Sequence, residues 1–202
     1  FVIGLYRNPS VLGREPVASE LAPWLNALAA GTMSRKLVAF SILSSTEYRT
    51  RDVNRIYQDF LDRNVDTPGL NFGLAFLNTG GRIEALEVNV LSSIEYFQLQ
   101  GGTNQAFVAS LYLDTLGRAG SAAEISQFTT ALNAGTSRGE IAALFVNSGE
   151  AQARVITQQY LQCAGRLPTP DELATGLERF SKGETRVQLL LRLILSAGFV
   201  TN

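Results

Sequence analysis

The chain has 202 residues, 46% of them hydrophobic and 17% charged, with a formal net charge of −1. So apolar a chain can bury enough surface to offset its ordering entropy, which excludes disorder. Seventeen lysines and arginines against 18 acidic residues leave no basic surplus for binding nucleic acid. The absence of histidine and a single cysteine, Cys163, exclude a Ser-His-Asp or Cys-His nucleophile, a histidine-containing zinc site and an internal disulfide.

Four repeats of about 50 residues follow one another along the chain. Each opens with a tyrosine, and the spacings between these tyrosines are 51, 55 and 48 residues. An arginine follows the tyrosine, then a glycine, then a serine, at distances that differ only by a short insertion in the first repeat. The landmarks of the four repeats are Tyr6, Arg14, Gly31 and Ser45; Tyr57, Arg63, Gly80 and Ser93; Tyr112, Arg118, Gly135 and Ser148; and Tyr160, Arg166, Gly183 and Ser196.

Each repeat predicts three helices, most clearly in the third. Its first helix carries Tyr112 and ends at Gly117, where a left-handed residue is favoured. Ser121–Glu124 and Ser137–Glu140 are capping-box patterns that predict the starts of the second and third helices. The corresponding core positions are apolar in every repeat: Leu21, Leu70, Ile125 and Leu173 in the second helix, and Val38, Leu86, Ile141 and Leu189 in the third.

These patterns predict an all-α fold of four tandem three-helix repeats, about twelve helices in all. A unit of about 50 residues is too small to bury its apolar face alone, so the repeats must pack together. We expect either a short solenoid or two helical lobes. The lobes would be residues 1–102, holding repeats one and two, and residues 103–202, holding repeats three and four. Gly101 and Gly102 would be the flexible joint between them.

The landmarks resemble a bacterial family called domain of unknown function 4214 and, more distantly, the helical linker domain of phycobilisome rods. The likeness rests on Leu111-Tyr112, Leu116-Gly117-Arg118, the segment 135–138 and the segment 145–150, and it covers essentially the whole chain. Two departures are plain: repeat two lacks glycine before Arg63, and repeat four has Gly198 where the others carry glutamate. The resemblance implies tandem helical modules of secreted or cell-surface bacterial proteins, and it carries over no catalytic residues.

The recurrent arginines and glutamates are the strongest candidates for a site. A guanidinium can hold a carboxylate bidentately while donating to turn carbonyls, so we expect each arginine to pin a turn by pairing across its repeat. The glutamates are expected at the end of the third helix. Recognition of an anionic glycan by the same arginines is the alternative. If the pairing is structural, Arg166, whose repeat has Gly198 in place of the glutamate, should find another partner or lie exposed. The predicted structural set is Arg14, Arg63, Arg118 and Arg166 with Glu47, Glu95 and Glu150.

Aromatic residues suggest a second kind of site. Trp24, Tyr48 and Tyr96 could form a platform for stacking sugars, although Trp24 also falls on an apolar helical stripe that favours core packing. Cys163 is expected to be a buried or half-buried thiol. No residue pattern indicates a catalytic group, a metal site or a cofactor.

Three functions follow as hypotheses, of which the first is favoured. The chain would be a non-catalytic scaffold or interaction module of a longer extracellular protein, with protein partners or self-association through its apolar ends, Phe1–Ile3 and 193–200. The second is a module that binds surface polysaccharide, and the third an enzyme that acts on glycans through paired carboxylates. We expect neither enzymatic activity nor bound nucleic acid. We also expect no membrane insertion, because the longest apolar stretch, 189–195, is short and interrupted by Arg192.

Overall fold

The computed structural model of the chain describes residues 1–196 and residue 199. Every regular element within these residues is helical, which confirms the all-α class. The helices are α1 (Val2–Arg7), α2 (Ala18–Ala29), α3 (Arg35–Leu43), α4 (Thr46–Leu61), α5 (Thr67–Asn78), α6 (Ile83–Leu91), α7 (Ile94–Leu99), α8 (Asn104–Leu111, continued by a π-helical turn over Tyr112–Leu116), α9 (Ala122–Asn133), α10 (Arg138–Val146), α11 (Gly149–Ala164), α12 (Pro170–Ser181) and α13 (Arg186–Leu195).

Thirteen α-helices are present in the described residues instead of about twelve, because one long helix is broken. The helices α4 and α11 each run for 16 residues without interruption. The corresponding stretch of repeat three is divided into α7 and α8 by Gly101 and Gly102, whose φ angles of 97° and 67° are left-handed and end α7.

Serine and threonine hydroxyls cap the starts of most of the helices. The predicted capping boxes at Ser121 and Ser137 are confirmed: each hydroxyl accepts from the amide three residues on, and the glutamate there returns a bond to the serine amide. Ser45, Ser93 and Ser148 also cap helices, accepting from amides of α4, α7 and α11. These three serines therefore begin the next helix after each repeat's third helix.

Glycines mark the ends of the second helices as the repeat pattern predicts. Each lies one residue beyond the C-cap, at a positive φ that permits the left-handed turn. The four residues and their φ angles are Gly31 at 69°, Gly80 at 90°, Gly135 at 105° and Gly183 at 94°.

The chain forms two compact units that join distant repeats. Unit 1 consists of Phe1–Arg51 together with the chain from Val155 onward, and unit 2 consists of Asp52–Arg154. Unit 1 thus combines repeats one and four, and unit 2 combines repeats two and three. This grouping differs from a division at residues 102 and 103, and Gly101 and Gly102 lie inside unit 2.

The core of unit 1 is built where α3 packs against α13. The predicted core residues Val38 and Leu189 are both fully buried there. The apolar ends that the sequence suggested as contact surfaces lie partly in this core: Val2 is 3% and Ile194 1% exposed. Ile3 and Leu195 in the same ends are 43% and 39% exposed, so repeats one and four cover these ends only in part. Val200 lies outside the described residues.

The core of unit 2 forms in the corresponding way, where α6 packs against α10. Leu86 and Ile141, the predicted core residues of these helices, are 1% and 2% exposed. Aromatic side chains fill the rest, and Tyr112 meets Phe145 edge to face with ring centroids 4.7 Å apart. Burial of a large apolar side chain contributes about 1.5–3 kcal/mol, so these contacts stabilise the unit.

Candidate functional site

Four arginine clusters recur, one in each repeat, just after the helix that carries the repeat's opening tyrosine. In each cluster the guanidinium carbon lies over the ring of that tyrosine, an arrangement in which the positive charge meets the negative face of the ring. The distances from the carbon to the ring centroid are 5.0 Å for Arg14 over Tyr6, 5.1 Å for Arg63 over Tyr57, 5.0 Å for Arg118 over Tyr112 and 5.5 Å for Arg166 over Tyr160.

Three of the arginines hold the glutamate that ends their repeat. The Nε–Nη2 edge of each guanidinium donates to both carboxylate oxygens, which is the bidentate geometry of a strong ion pair. The shorter bonds are 2.5 Å from Arg14 to Glu47, 2.5 Å from Arg63 to Glu95 and 2.6 Å from Arg118 to Glu150.

The position of these glutamates corrects the sequence prediction. Glu47, Glu95 and Glu150 lie in the first turns of α4, α7 and α11, and they are not at the ends of the preceding third helices. The reason is that the serine before each of them caps a new helix. A carboxylate in a first helical turn is further stabilised by the partial positive charge of the helix N-terminus.

A second carboxylate on three of the arginines was missed by sequence reasoning. Glu20, Glu124 and Glu172 are the third residues of α2, α9 and α12, and each accepts from the Nη1–Nη2 edge of the arginine six residues earlier. The shared spacing of six residues is a signal that could have found them. Hydrogen bonding to the arginine is the main reason that the pKa of each of these glutamates lies at about 2.

Two clusters depart from this pattern. Arg63 has no glutamate at the second position, and its Nη1 lies 3.6 Å from a carboxylate oxygen of Asp66 instead. Arg166, for which the sequence predicts another partner or exposure, pairs with Glu172 at 2.7 Å and its side chain is 50% exposed. Gly198, which replaces the recurrent glutamate of repeat four, lies outside the described residues.

A second set of arginines, also missed, binds backbone carbonyls at or just after the ends of the first helices. Arg51 donates to the carbonyls of Pro9 and Val11. In the corresponding place of repeat three, Nη1 of Arg154 donates to the carbonyl of Asp114 at 2.7 Å. Cations at the carbonyl end of a helix satisfy unpaired acceptors and complement its dipole. Both arginines follow the capping serine by six residues, and that spacing was the available signal.

The aromatic candidates do not form an exposed platform. Tyr48 and Tyr96 are 5% and 0% exposed, so neither ring is accessible for stacking. The hydroxyl of Tyr96 donates to a carboxylate oxygen of Asp114 at 2.6 Å. Trp24 is partly buried against the unit 1 core, and its indole N–H donates to the hydroxyl of Tyr6 at 3.3 Å.

A pocket of about 180 Å³ adjoins the arginine cluster of repeat three. Its walls are mostly apolar, and the Arg118–Glu150 pair lies at its polar side. The lining residues are Tyr112, Leu116, Arg118, Phe128, Leu144, Phe145, Ser148 and Glu150.

The described residues also bear on a reactive thiol, a metal site and a membrane span. Cys163 is 1% exposed, and burial raises the pKa of its thiol to about 11, which suppresses the reactive thiolate. Residues 1–196 and 199 contain no group of three or more acidic or cysteine side chains that could hold a metal ion. Among the helices of those residues, none combines the length and apolar character that crossing a membrane requires.

Comparison with protein families identifies the chain. The family described as Domain of unknown function (DUF4214) matches residues 1–52 and 88–155, more than half of the sequence. The chain belongs to this family. Neither the curated proteins nor the solved structures contain a match to it.

The DUF4214 match separates the four clusters into two kinds. The matched stretches contain Arg14 and Arg118, which each hold two glutamates. Arg63 and Arg166, whose surroundings depart from that arrangement, lie in the stretches that the family does not match. Both double-glutamate clusters therefore lie within the matched stretches.

Proposed function

We propose that this DUF4214 chain is a non-catalytic helical interaction module of a larger secreted or cell-surface bacterial protein. In this proposal, four three-helix repeats form the scaffold, and the arginine clusters fix the turns between their helices. Support comes from the clusters themselves, since the guanidinium groups of Arg14 and Arg118 are each saturated by two carboxylates of the same chain. Groups engaged in this way hold structure and are not presented to a substrate.

The observation that carries the interaction role is an apolar pair on α3. Leu37 and Phe40 lie one helical turn apart, and they are 46% and 52% exposed. The opposite side of α3 supplies Val38 and Ile42 to the core, so this helix carries apolar residues on both sides. An apolar pair on a helix that already fills its core face favours contact with a protein partner. We propose a second copy of this chain as that partner.

The alternative of a carbohydrate-binding module has weaker support. Two of the three aromatic residues on which it depended are buried, and the third packs against the core. The carboxylates that a glycan-cleaving enzyme would require are held by arginines: Glu47, Glu95 and Glu150 each accept two hydrogen bonds from a guanidinium. Both oxygens of each carboxylate are therefore occupied by a guanidinium and are not presented to a sugar.

Light scattering across a concentration series tests the proposed self-association. We expect the mean mass of the wild-type chain to rise with concentration, and Leu37→Glu together with Phe40→Glu to abolish the rise. Ala85→Glu is the matched control, because Ala85 holds the position of Leu37 on α6 and is also exposed. A wild-type chain that remains a monomer at every concentration, or an equal loss in the control, would contradict self-association through α3.

A further inference from the structure

We propose that Arg166 is an open binding position for a carboxylate supplied by another polypeptide. The inference rests on the proposed role as an interaction module, and it assigns a partner chemistry to one end of the fourth repeat. The expected partner presents a glutamate in the first turn of a serine-capped helix.

The three filled positions define what the fourth would accept. In each of repeats one to three, the Nε–Nη2 edge of the arginine holds a glutamate by two bonds, with the longer bond at 2.9, 2.9 and 3.1 Å. The glutamate is the second residue after a capping serine, as in Ser45-Thr46-Glu47. The same chain thus provides three examples of one recognition geometry.

Arg166 presents the same edge without that carboxylate. Its Nη1 and Nη2 groups donate to Glu172, and Nη1 also donates to the carbonyl of Leu167 at 2.9 Å. Within residues 1–196 and 199, no carboxylate lies on its Nε–Nη2 edge. Residues 197–202 contain no aspartate or glutamate, so they carry no side chain that could replace the missing glutamate.

The local charges favour a single carboxylate over a more highly charged anion. The charge of Arg166 is already opposed by Glu172, whose pKa of about 2 keeps it ionised at neutral pH. In repeats one and three, a guanidinium that already binds one glutamate on its Nη1–Nη2 edge also binds a second carboxylate. A dianionic phosphate would place twice that negative charge beside Glu172.

The Arg166 guanidinium is accessible to solvent and already oriented by its neighbours. The Arg166 side chain is 50% exposed, compared with 36% for Arg14 and 41% for Arg118. Its guanidinium carbon lies 5.5 Å from the ring centroid of Tyr160, and Glu172 holds one edge of the fork. A guanidinium already oriented on two sides loses less freedom when it binds a carboxylate, so the pairing is stronger than on a mobile arginine.

NMR of the arginine Nε–H groups in the full chain tests the inference at pH 6. The probe is a peptide with the sequence of residues 45–61, and the matched peptide carries Glu47→Gln. We expect the first peptide to shift the Arg166 signal saturably, while the signals of Arg14 and Arg118 stay in place. Because an ion pair on an exposed arginine is screened by solvent, we expect the glutamine peptide to bind about twofold to fivefold more weakly.

Variants of the chain test whether Arg166 is the position that binds the peptide. Arg166→Gln should remove peptide binding, Arg166→Lys should weaken it by removing the bidentate fork, and Arg118→Gln should leave it unchanged. Equal binding of the two peptides, or full binding by Arg166→Gln, would overturn the inference. The result is independent of α3, because a chain with Leu37→Glu and Phe40→Glu should lose self-association and keep peptide binding.

Discussion

Asp62 occupies a backbone position that glycine holds in the other three repeats. Its φ is 51°, while those of Gly13, Gly117 and Gly165 are 63°, 73° and 65°. Repeat two thus keeps the left-handed turn before its arginine although it lacks the glycine that allows the turn without strain. For a residue with a side chain this conformation costs roughly 1–2 kcal/mol.

Replacing this residue should stabilise the protein. We expect Asp62→Gly to raise the free energy of unfolding by about 0.5–1 kcal/mol, because the relief of strain exceeds the added entropy of glycine in the unfolded chain. Urea denaturation measures the change. Gly31→Ala is the control, since the added methyl would meet no atom within 4 Å and the loss of stability would report the backbone conformation alone. An unchanged midpoint for Asp62→Gly would show that the turn is unstrained.

At the scale of the helices, the repeats differ in the size of the residue that the second helix places against the first. The position three residues after the core leucine or isoleucine is Trp24 in repeat one and Phe128 in repeat three. Repeats two and four have Gly73 and Gly176 there, and both glycines are buried. A β-carbon at Gly73 would lie 2.8 Å from both methyl carbons of Val53, so the glycine permits the close approach of the two helices.

A methyl group at this contact should separate the helices. We expect Gly73→Ala to lower the free energy of unfolding by about 1–3 kcal/mol, because valine has little rotamer freedom to move aside. Gly139→Ala is the matched helical control, since its β-carbon would lie no closer than 3.9 Å to another residue, and it should stabilise the protein by about 0.5–1 kcal/mol. Thermal unfolding of both variants measures the difference. A loss of the same size in both would indicate that contact with Val53 is unimportant.

Local signals explain how far the sequence could predict these elements. The capping box at Ser121 and the turn at Gly135 depend on residues a few positions apart, so the boundaries of α9 were predictable. The pairing of α3 with α13 depends on residues about 150 positions apart, and no short-range pattern encodes it. The position of Glu47 was misassigned because Ser45 was interpreted as the end of a repeat, although it caps the next helix.

The burial of Tyr48 and Tyr96 was also not predictable from short-range sequence patterns. A tyrosine in the first turn of a helix has one polar and one apolar part, so composition alone does not determine whether it faces solvent. Tyr96 is buried because its hydroxyl has a partner, Asp114, that is 18 residues further along the chain. That partner becomes apparent only when α7 and the turn after α8 are placed together.

For the whole molecule, the arginine clusters predict how stability depends on pH. The pKa values of Glu20, Glu124 and Glu172 lie at about 2 in the folded protein, below the ordinary value of 4.5. A folded pKa below the unfolded one means that the stabilisation is present above about pH 4.5 and is lost as pH falls towards 2. Both units should therefore lose stability in this range.

A single substitution isolates one of these contributions. We expect Glu172→Gln to have a lower Tm than the wild type at pH 7, and the difference to shrink between pH 4.5 and 2 as the wild-type carboxylate is protonated. Calorimetry across this range measures it. Glu178→Gln provides a control on the same helix, because that glutamate is exposed and pairs with Lys182 in place of an arginine. Parallel curves for wild type and Glu172→Gln would contradict the assigned cause.

The two ends of the chain complete unit 1 together, and this has a consequence during protein synthesis. Translation releases residues 1–51 first, yet the helix that covers α3 is α13, at the opposite end of the sequence. Asp52–Arg154 emerges as one uninterrupted segment and can finish its own core earlier. The apolar surface of the nascent segment 1–51 therefore stays exposed until α13 has been synthesised. A premature stop codon after residue 154 would leave that surface permanently exposed.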